Sequence, residues 1–272
     1  MVRAVIFLLL FVFLEVSEAH EALDEQIEHA TAEIKHHPHT SEFFIKRGRL
    51  RLEKGEISAA IHDFKHVLHM DPKDVAVHAY LAEAYFSQKK ITQALRHANL
   101  FLHNVNNDSA RARGFELMGR IQMQAHQFSE AIQSYRQLLQ LTHIPKPDYY
   151  LILAKAYRTS NTSDSESALR VLDEGLNKLG LLPVLQKRAI EIELDANNVD
   201  GAIQRVDKLI VANPHSFAFL KLKADILWGE NRYTEAKSVY RNSLAVLNKL
   251  PLSRQSSPAL KALRAEMDSR LQ

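Results

Sequence analysis

From position 41 the chain repeats itself at an interval of 34 residues, and self-similarity of that period restricts the possible folds more than composition does. Between 41 and 74, Phe44, Gly48, Ala60, Phe64 and Pro72 occupy positions 4, 8, 20, 24 and 32 of the interval. From 75, Leu81, Ala82, Tyr85, Ala94 and Ala98 fall at 7, 8, 11, 20 and 24. A third interval begins near Ala112, after three extra residues, and Phe115, Met118, Gly119, Ala131 and Tyr135 fill places 4, 7, 8, 20 and 24. The fourth begins near Pro147 with Tyr150, Leu153, Ala154 and Tyr157. Its Ala168 arrives two residues late, which makes the polar stretch at 159 to 167 a lengthened turn between helices. The fifth runs from Pro183 with Ala189, Ala202, Val206 and Pro214, and the sixth from Phe217 with Leu220, Ala224, Ala236 and Tyr240.

Each interval reads as two amphipathic helices. "IHDFKHVLHMDP" at 61 to 72 shows the pattern: Ala60, Phe64, Val67 and Leu68 form an apolar stripe at helical spacing, closed by Asp71 and Pro72. Only eight Gly and eight Pro interrupt 272 residues, while Ala, Leu, Gln, Glu, Lys and Arg are abundant, so a mostly helical protein is expected. Positions 8 and 20 have to be small, because the two helices of a hairpin cross closely there. Large residues at 4, 7, 11 and 24 fill the space around the crossing, with Arg47 and Lys223 as polar departures at position 7. A single hairpin cannot bury its own apolar face, so neighbouring hairpins must stack.

In these positions the chain resembles the tetratricopeptide repeat family, exported bacterial type. The resemblance implies an all-α fold, a right-handed superhelix or α-solenoid of about six helix hairpins over 41–250. An N-terminal helix over 20–40, carrying Leu23, Ile27, Ala30 and Ile34, precedes the stack. A C-terminal capping helix within 251–272, with Leu260, Leu263, Met267 and Leu271, closes it.

The first 19 residues read as an export signal: Arg3 supplies the positive end, Ala4 to Leu14 an apolar run of eleven, and Ser17-Glu18-Ala19 places small residues at −3 and −1 of the cleavage point. Cleavage leaves His20 first. Eleven apolar residues are too few for a bilayer span of about 20, so an uncleaved anchor is the weaker reading, and after cleavage no stable membrane span is expected. There is no Cys, which excludes disulfides, thiolate metal sites and Cys catalysis. Signal, absent Cys and repeat type together point to the periplasm. In a eukaryotic secretory pathway, Asn107-Asp108-Ser109 and Asn161-Thr162-Ser163 would instead be glycosylation acceptors. The net charge of +3 becomes +4 once Arg3, Glu15 and Glu18 leave, and without a dense Lys/Arg patch this is no nucleic-acid signature.

Enzyme motifs fail. "GFELMGRI" at 114 to 121 has the glycine spacing of a phosphate loop, yet Arg120-Ile121 stands where Lys and Ser/Thr are needed. GxGxxG, GxSxG and HExxH are absent, no triad spacing stands out, and no cofactor is implied. Thirteen of fourteen His lie between 20 and 143. His62 and His66, one turn apart, and "HHPH" at 36 to 39 are candidate metal ligands, which leaves a periplasmic metal-binding or metal-delivery protein as the alternative. The plainer reading is surface His set between packing positions, His62, His66 and His69 facing outward.

The resemblance places partner binding on positions 2, 5, 9 and 12 of each first helix, which line the concave groove. On this chain they supply cations at Arg49, Arg113, Arg120, Lys155, Arg158, Lys187 and Lys221, and apolar groups at Phe86, Met123 and Trp228, with Leu151 and Leu194 beside them. The implied function is a non-catalytic adaptor that holds another protein's peptide-like segment, an acidic stretch or a C-terminal carboxylate, during envelope or secretion assembly.

Overall fold

A computed structural model of the chain describes residues 21–160 and 164–272; the export signal expected at 1–19 and the candidate acceptor Asn161 lie outside the described residues. Every regular element among the described residues is an α-helix. The chain divides into two compact units, Met1–His143 and Ile144–Gln272. In the first, helix α1 is described over 21–36. Three hairpins follow it: α2 (Ser41–Lys54) with α3 (Ile57–Met70), α4 (Val75–Ser87) with α5 (Ile91–Asn104), and α6 (Asp108–Gln124) with α7 (Phe128–Leu141). The second unit has α8 (Pro147–Thr159) with α9 (Ser165–Leu179), α10 (Pro183–Asp195) with α11 (Val199–Ala212), and α12 (Phe217–Gly229) with α13 (Tyr233–Leu247). A short α14 (Leu252–Gln255) and α15 (Pro258–Leu271) close it.

Within each hairpin the small residues sit at the crossing. Ala60, Ala82, Ala94, Ala131, Ala154, Ala168, Ala189, Ala202, Ala224 and Ala236 are all fully buried. A Cβ built on Gly48 would lie 2.5 Å from Phe64 Cε1, and one on Gly119 2.7 Å from Tyr135 Cε2, so positions 8 and 24 touch across the hairpin. Gly114 and Gly119 both lie inside α6, packed on Leu102 and Tyr135, so "GFELMGRI" is helix and not a phosphate loop. Phe44, Phe64, Val67, Leu81 and Tyr85 belong to the core of the first unit, and Val206, Leu209, Leu227 and Tyr240 to that of the second.

The turns inside the hairpins share one geometry. The fifteenth residue of five repeats, Gly55, Lys89, His126, Asn197 and Asn231, has a left-handed backbone with φ between 56° and 89°. In each case the next N–H reaches a carbonyl five residues back, as in Lys90 N to Tyr85 O at 2.9 Å and Asn198 N to Glu193 O at 2.8 Å. This satisfies carbonyls that the helix end leaves without partners and turns the chain sharply into the second helix. Asp74, Asn107, Asp164, Asn198 and Ser257 accept N–H groups at helix starts, and Pro147, Pro183 and Pro258 stand in first turns where no N–H is missed.

The two polar departures at position 7 are paired. Arg47 donates to Asp63 at 2.7 and 3.0 Å, and Arg51 reaches the same carboxylate at 2.8 Å, with the Asp63 side chain fully buried. Lys223 donates to both oxygens of Asp207 at 2.7 and 2.9 Å. In the second unit, Arg205 on α11 ties three helices together: it donates to Asp173 of α9 at 2.7 and 3.0 Å and to Glu193 of α10 at 2.9 Å. A buried charge is tolerable only with such partners.

Candidate functional site

Each unit carries a pocket built from the first helices of adjacent hairpins, where the side chains that do not pack inward meet. In the first unit, α2, α4 and α6 enclose about 600 Å³ between Arg49, Leu52, Tyr80, Phe86, Arg113 and Arg120, with Glu53, Glu83 and Ser87 completing the walls. Arginine stacking organises it. The guanidinium carbons of Arg49 and Arg113 lie 5.7 and 5.2 Å from the centre of the Tyr80 ring, and that of Arg120 lies 5.4 Å from the centre of Phe86. Arg113 Nη2 also donates to Glu83 Oε1 at 3.2 Å. Partial burial works against the Arg113 charge, but Glu83 and Tyr80 more than offset it and hold the guanidinium above its ordinary pKa. Arg49 and Arg120 have no ion-pair partner among the described residues, and both are exposed.

The pocket of the second unit is of another kind. About 410 Å³ lies between α10, α12 and α15, lined by Ile190, Leu194, Phe219, Leu222 and Leu263, by the exposed Ala218, and by Lys187, Glu191, Lys221 and Asp225. Lys221 is neutralised inside the chain: its Nζ donates to Asp225 Oδ2 at 2.8 Å and to Glu266 of α15 at 2.9 Å. Burial disfavours its charge, and the hydrogen bonds to Asp225 and Glu266 outweigh it, so the ammonium pKa rises. Asp225 accepts a third hydrogen bond from the Tyr240 hydroxyl at 2.7 Å, and burial together with that bond raises the phenol pKa.

Of the cations and apolar groups predicted for partner binding, Arg49, Phe86, Arg113 and Arg120 meet in the first pocket and Lys187 and Lys221 in the second. Met123, Lys155, Arg158 and Trp228 line neither. Arg158 is spent on Asp195 at 2.9 Å and on the Ser165 hydroxyl, whereas Lys155 is exposed. Trp228 is covered from α15 by Arg270, whose guanidinium carbon lies 4.7 Å from the ring centre. Tyr80, Phe219, Leu222 and the capping-helix Leu263 line the pockets outside the predicted partner-binding positions. For Tyr80 a signal existed, since Tyr80, Glu83 and Ser87 share one face of α4 at i, i+3 and i+7.

The candidate metal ligands are dispersed. His62 is exposed, and the His66 ring packs on Phe44 with centres 4.4 Å apart. Among the described residues no group of three or more His, Asp or Glu is placed to hold a metal ion. Nor is any described helix long and apolar enough to cross a membrane.

Two models of the tetratricopeptide repeat family match the chain, at residues 51–116 and 188–245. No curated protein matches. Among solved structures, the C-terminal part of a TPR repeat-containing protein from Cytophaga hutchinsonii is 14% identical, covers 96% of this chain and 99% of its own, and superposes with a TM-score of 0.68. A tetratricopeptide repeat protein from Parabacteroides merdae is 13% identical, with 95% of each chain covered and a TM-score of 0.52. At such identities the likeness concerns the fold alone.

Proposed function

The chain is a tetratricopeptide repeat protein, and from that premise we propose that it is a non-catalytic scaffold that captures a peptide-like segment of a partner protein on the first helices of its hairpins. The observation that carries this reading is the pocket of the first unit. Three successive first helices contribute Arg49, Phe86, Arg113 and Arg120 to one cavity of about 600 Å³, large enough for side chains of an extended segment. Fold alone does not choose the biological process. The signal-like residues at 1–19, with the absence of Cys, support an exported, periplasmic scaffold serving envelope or secretion assembly. Intact mass of the mature protein beginning at His20 is the expected result on that account, and a mass retaining Met1 counts against it.

Arg120→Glu combined with Lys155→Glu reverses two exposed cations without touching the core. Capture of the partner in a pull-down is expected to be lost while the helical circular dichroism signal stays unchanged. Capture at the wild-type level would place the binding surface elsewhere on the molecule.

A further inference from the structure

We propose that the pocket of the first unit selects the carboxylate side chains of an acidic peptide segment, and that Glu83 holds the place of one of them on Arg113 until the segment arrives. The inference rests on the scaffold reading above and narrows it to one ligand chemistry. Pockets with exposed aromatic faces hold rings or apolar side chains by stacking. Here the faces of Tyr80 and Phe86 already carry guanidinium groups, two on the first and one on the second. What the pocket presents instead is three guanidinium groups seated over those rings. A guanidinium offers a fork of N–H donors matched to a carboxylate. Arg49 and Arg120 have no acidic partner among the described residues, so their donors stand open to a ligand.

Arg113 does have a partner, and the kind of partner matters. The Arg113 and Glu83 side chains are 46% and 36% exposed, whereas the Asp63 side chain held by Arg47 is fully buried. An exposed pair contributes little to stability and exchanges readily, because either ion is well solvated when released. A ligand carboxylate can therefore take over the Arg113 contact while Glu83 turns to water, one ion pair replacing another. Glu53, also on the wall, adds a second negative group, yet three arginines against two glutamates leave the pocket cationic. Glu83 then acts as a built-in competitor that sets a threshold: a weakly acidic segment fails to displace it, and one presenting several carboxylates succeeds.

The test measures anisotropy of a short fluorescein-labelled peptide rich in Glu and Asp, titrated with the full chain, against its Gln/Asn counterpart. The acidic peptide is expected to bind at least about tenfold more tightly. Removing the competitor in Glu83→Gln is expected to strengthen acidic-peptide binding by about threefold or more, a gain that a misfolded protein cannot imitate. Arg49→Glu with Arg120→Glu is expected to abolish it. Equal binding of the neutral peptide overturns the proposal, as does weaker or unchanged binding by Glu83→Gln. A phosphoserine peptide bound about tenfold more tightly than the acidic one also overturns it, in favour of phosphate. If the partner pull-down is lost in Arg120→Glu with Lys155→Glu while acidic and neutral peptides bind alike, only the carboxylate claim falls. If the pull-down is untouched, the scaffold surface itself is misplaced.

Discussion

His78 takes the fourth position of the second repeat, where the first, third and fourth repeats place Phe44, Phe115 and Tyr150. It meets His97 of α5 with the two Nδ1 atoms 3.0 Å apart, one donating to the other, and the His97 ring stacks on Tyr85 with centres 5.4 Å apart. Burial chiefly, then the charges of His78, Arg96 and Lys65, push the His97 pKa down to about 4; burial also lowers that of His78, against a weaker opposing pull from Asp74. In the unfolded chain the ordinary value is about 6.5. Between those values the unfolded state binds the proton and the folded state does not. The stability supplied by a neutral His97 is thus complete above about pH 6.5 and drains away as the pH falls toward about 4. The melting temperature is expected to drop between pH 7 and pH 5, and His97→Gln to flatten that drop; equal slopes for the two proteins would remove His97 as its source. A second residue-scale outcome concerns Arg205. Arg205→Met leaves Asp173 and the buried Glu193 without their cation, and a loss of about 3–5 kcal/mol by chemical denaturation is expected.

At the scale of elements, five hairpin turns among the described residues use a left-handed residue, and of these only the first has a glycine there. Gly55 meets no atom within 4 Å of its Cβ site and has φ +89°, so it is there for conformation and not for space. Lys89 and His126 adopt φ 58° with a side chain attached, at a cost of about 1–2 kcal/mol each. Lys89→Gly and His126→Gly are expected to raise stability by up to about 1 kcal/mol, part of the relief being lost to the freer unfolded chain. A fall in the denaturation midpoint would mean that these side chains hold the turn by contacts that outweigh the strain. Gly48 and Gly119 are the opposite case. Their glycines are required by Phe64 and Tyr135, and that requirement is readable, because a small residue stands at position 8 in five of the six intervals, Ile190 being the departure. The ion pairs at position 7 were not readable. Arg47 and Lys223 look like errors in an apolar frame until Asp63 and Asp207 appear beside them, and Asp63 lies 16 residues later while Asp207 lies 16 earlier. A periodic pattern carries which face is buried; it does not carry which charge crosses to which.

For the whole molecule, the groove positions taken from the repeat frame place cations in both units, but the folded chain separates them by chemistry. Packing decided this, through contacts from outside the repeat frame: α15 brings Glu266 to Lys221, Leu263 to the apolar pocket and Arg270 over Trp228. What remains is a cationic pocket in the first unit and an apolar one in the second. Their contributions to capture of a partner should respond differently to salt. Raising the ionic strength from about 0.1 M to about 1 M shortens the screening length from about 10 Å to about 3 Å, which weakens exposed charge contacts and leaves apolar burial intact or stronger. Arg49→Glu is therefore expected to weaken capture strongly at low salt and much less at high salt. Ala218→Gln, which enlarges an exposed residue of the second pocket's lining with a neutral side chain, is expected to weaken capture by a similar factor at both. The measurement is partner affinity for the two variants and the unaltered chain across the salt series. If Ala218→Gln has no effect at either end, the second pocket takes no part in capture; if Arg49→Glu costs the same factor throughout, the arginine contributes shape and not charge.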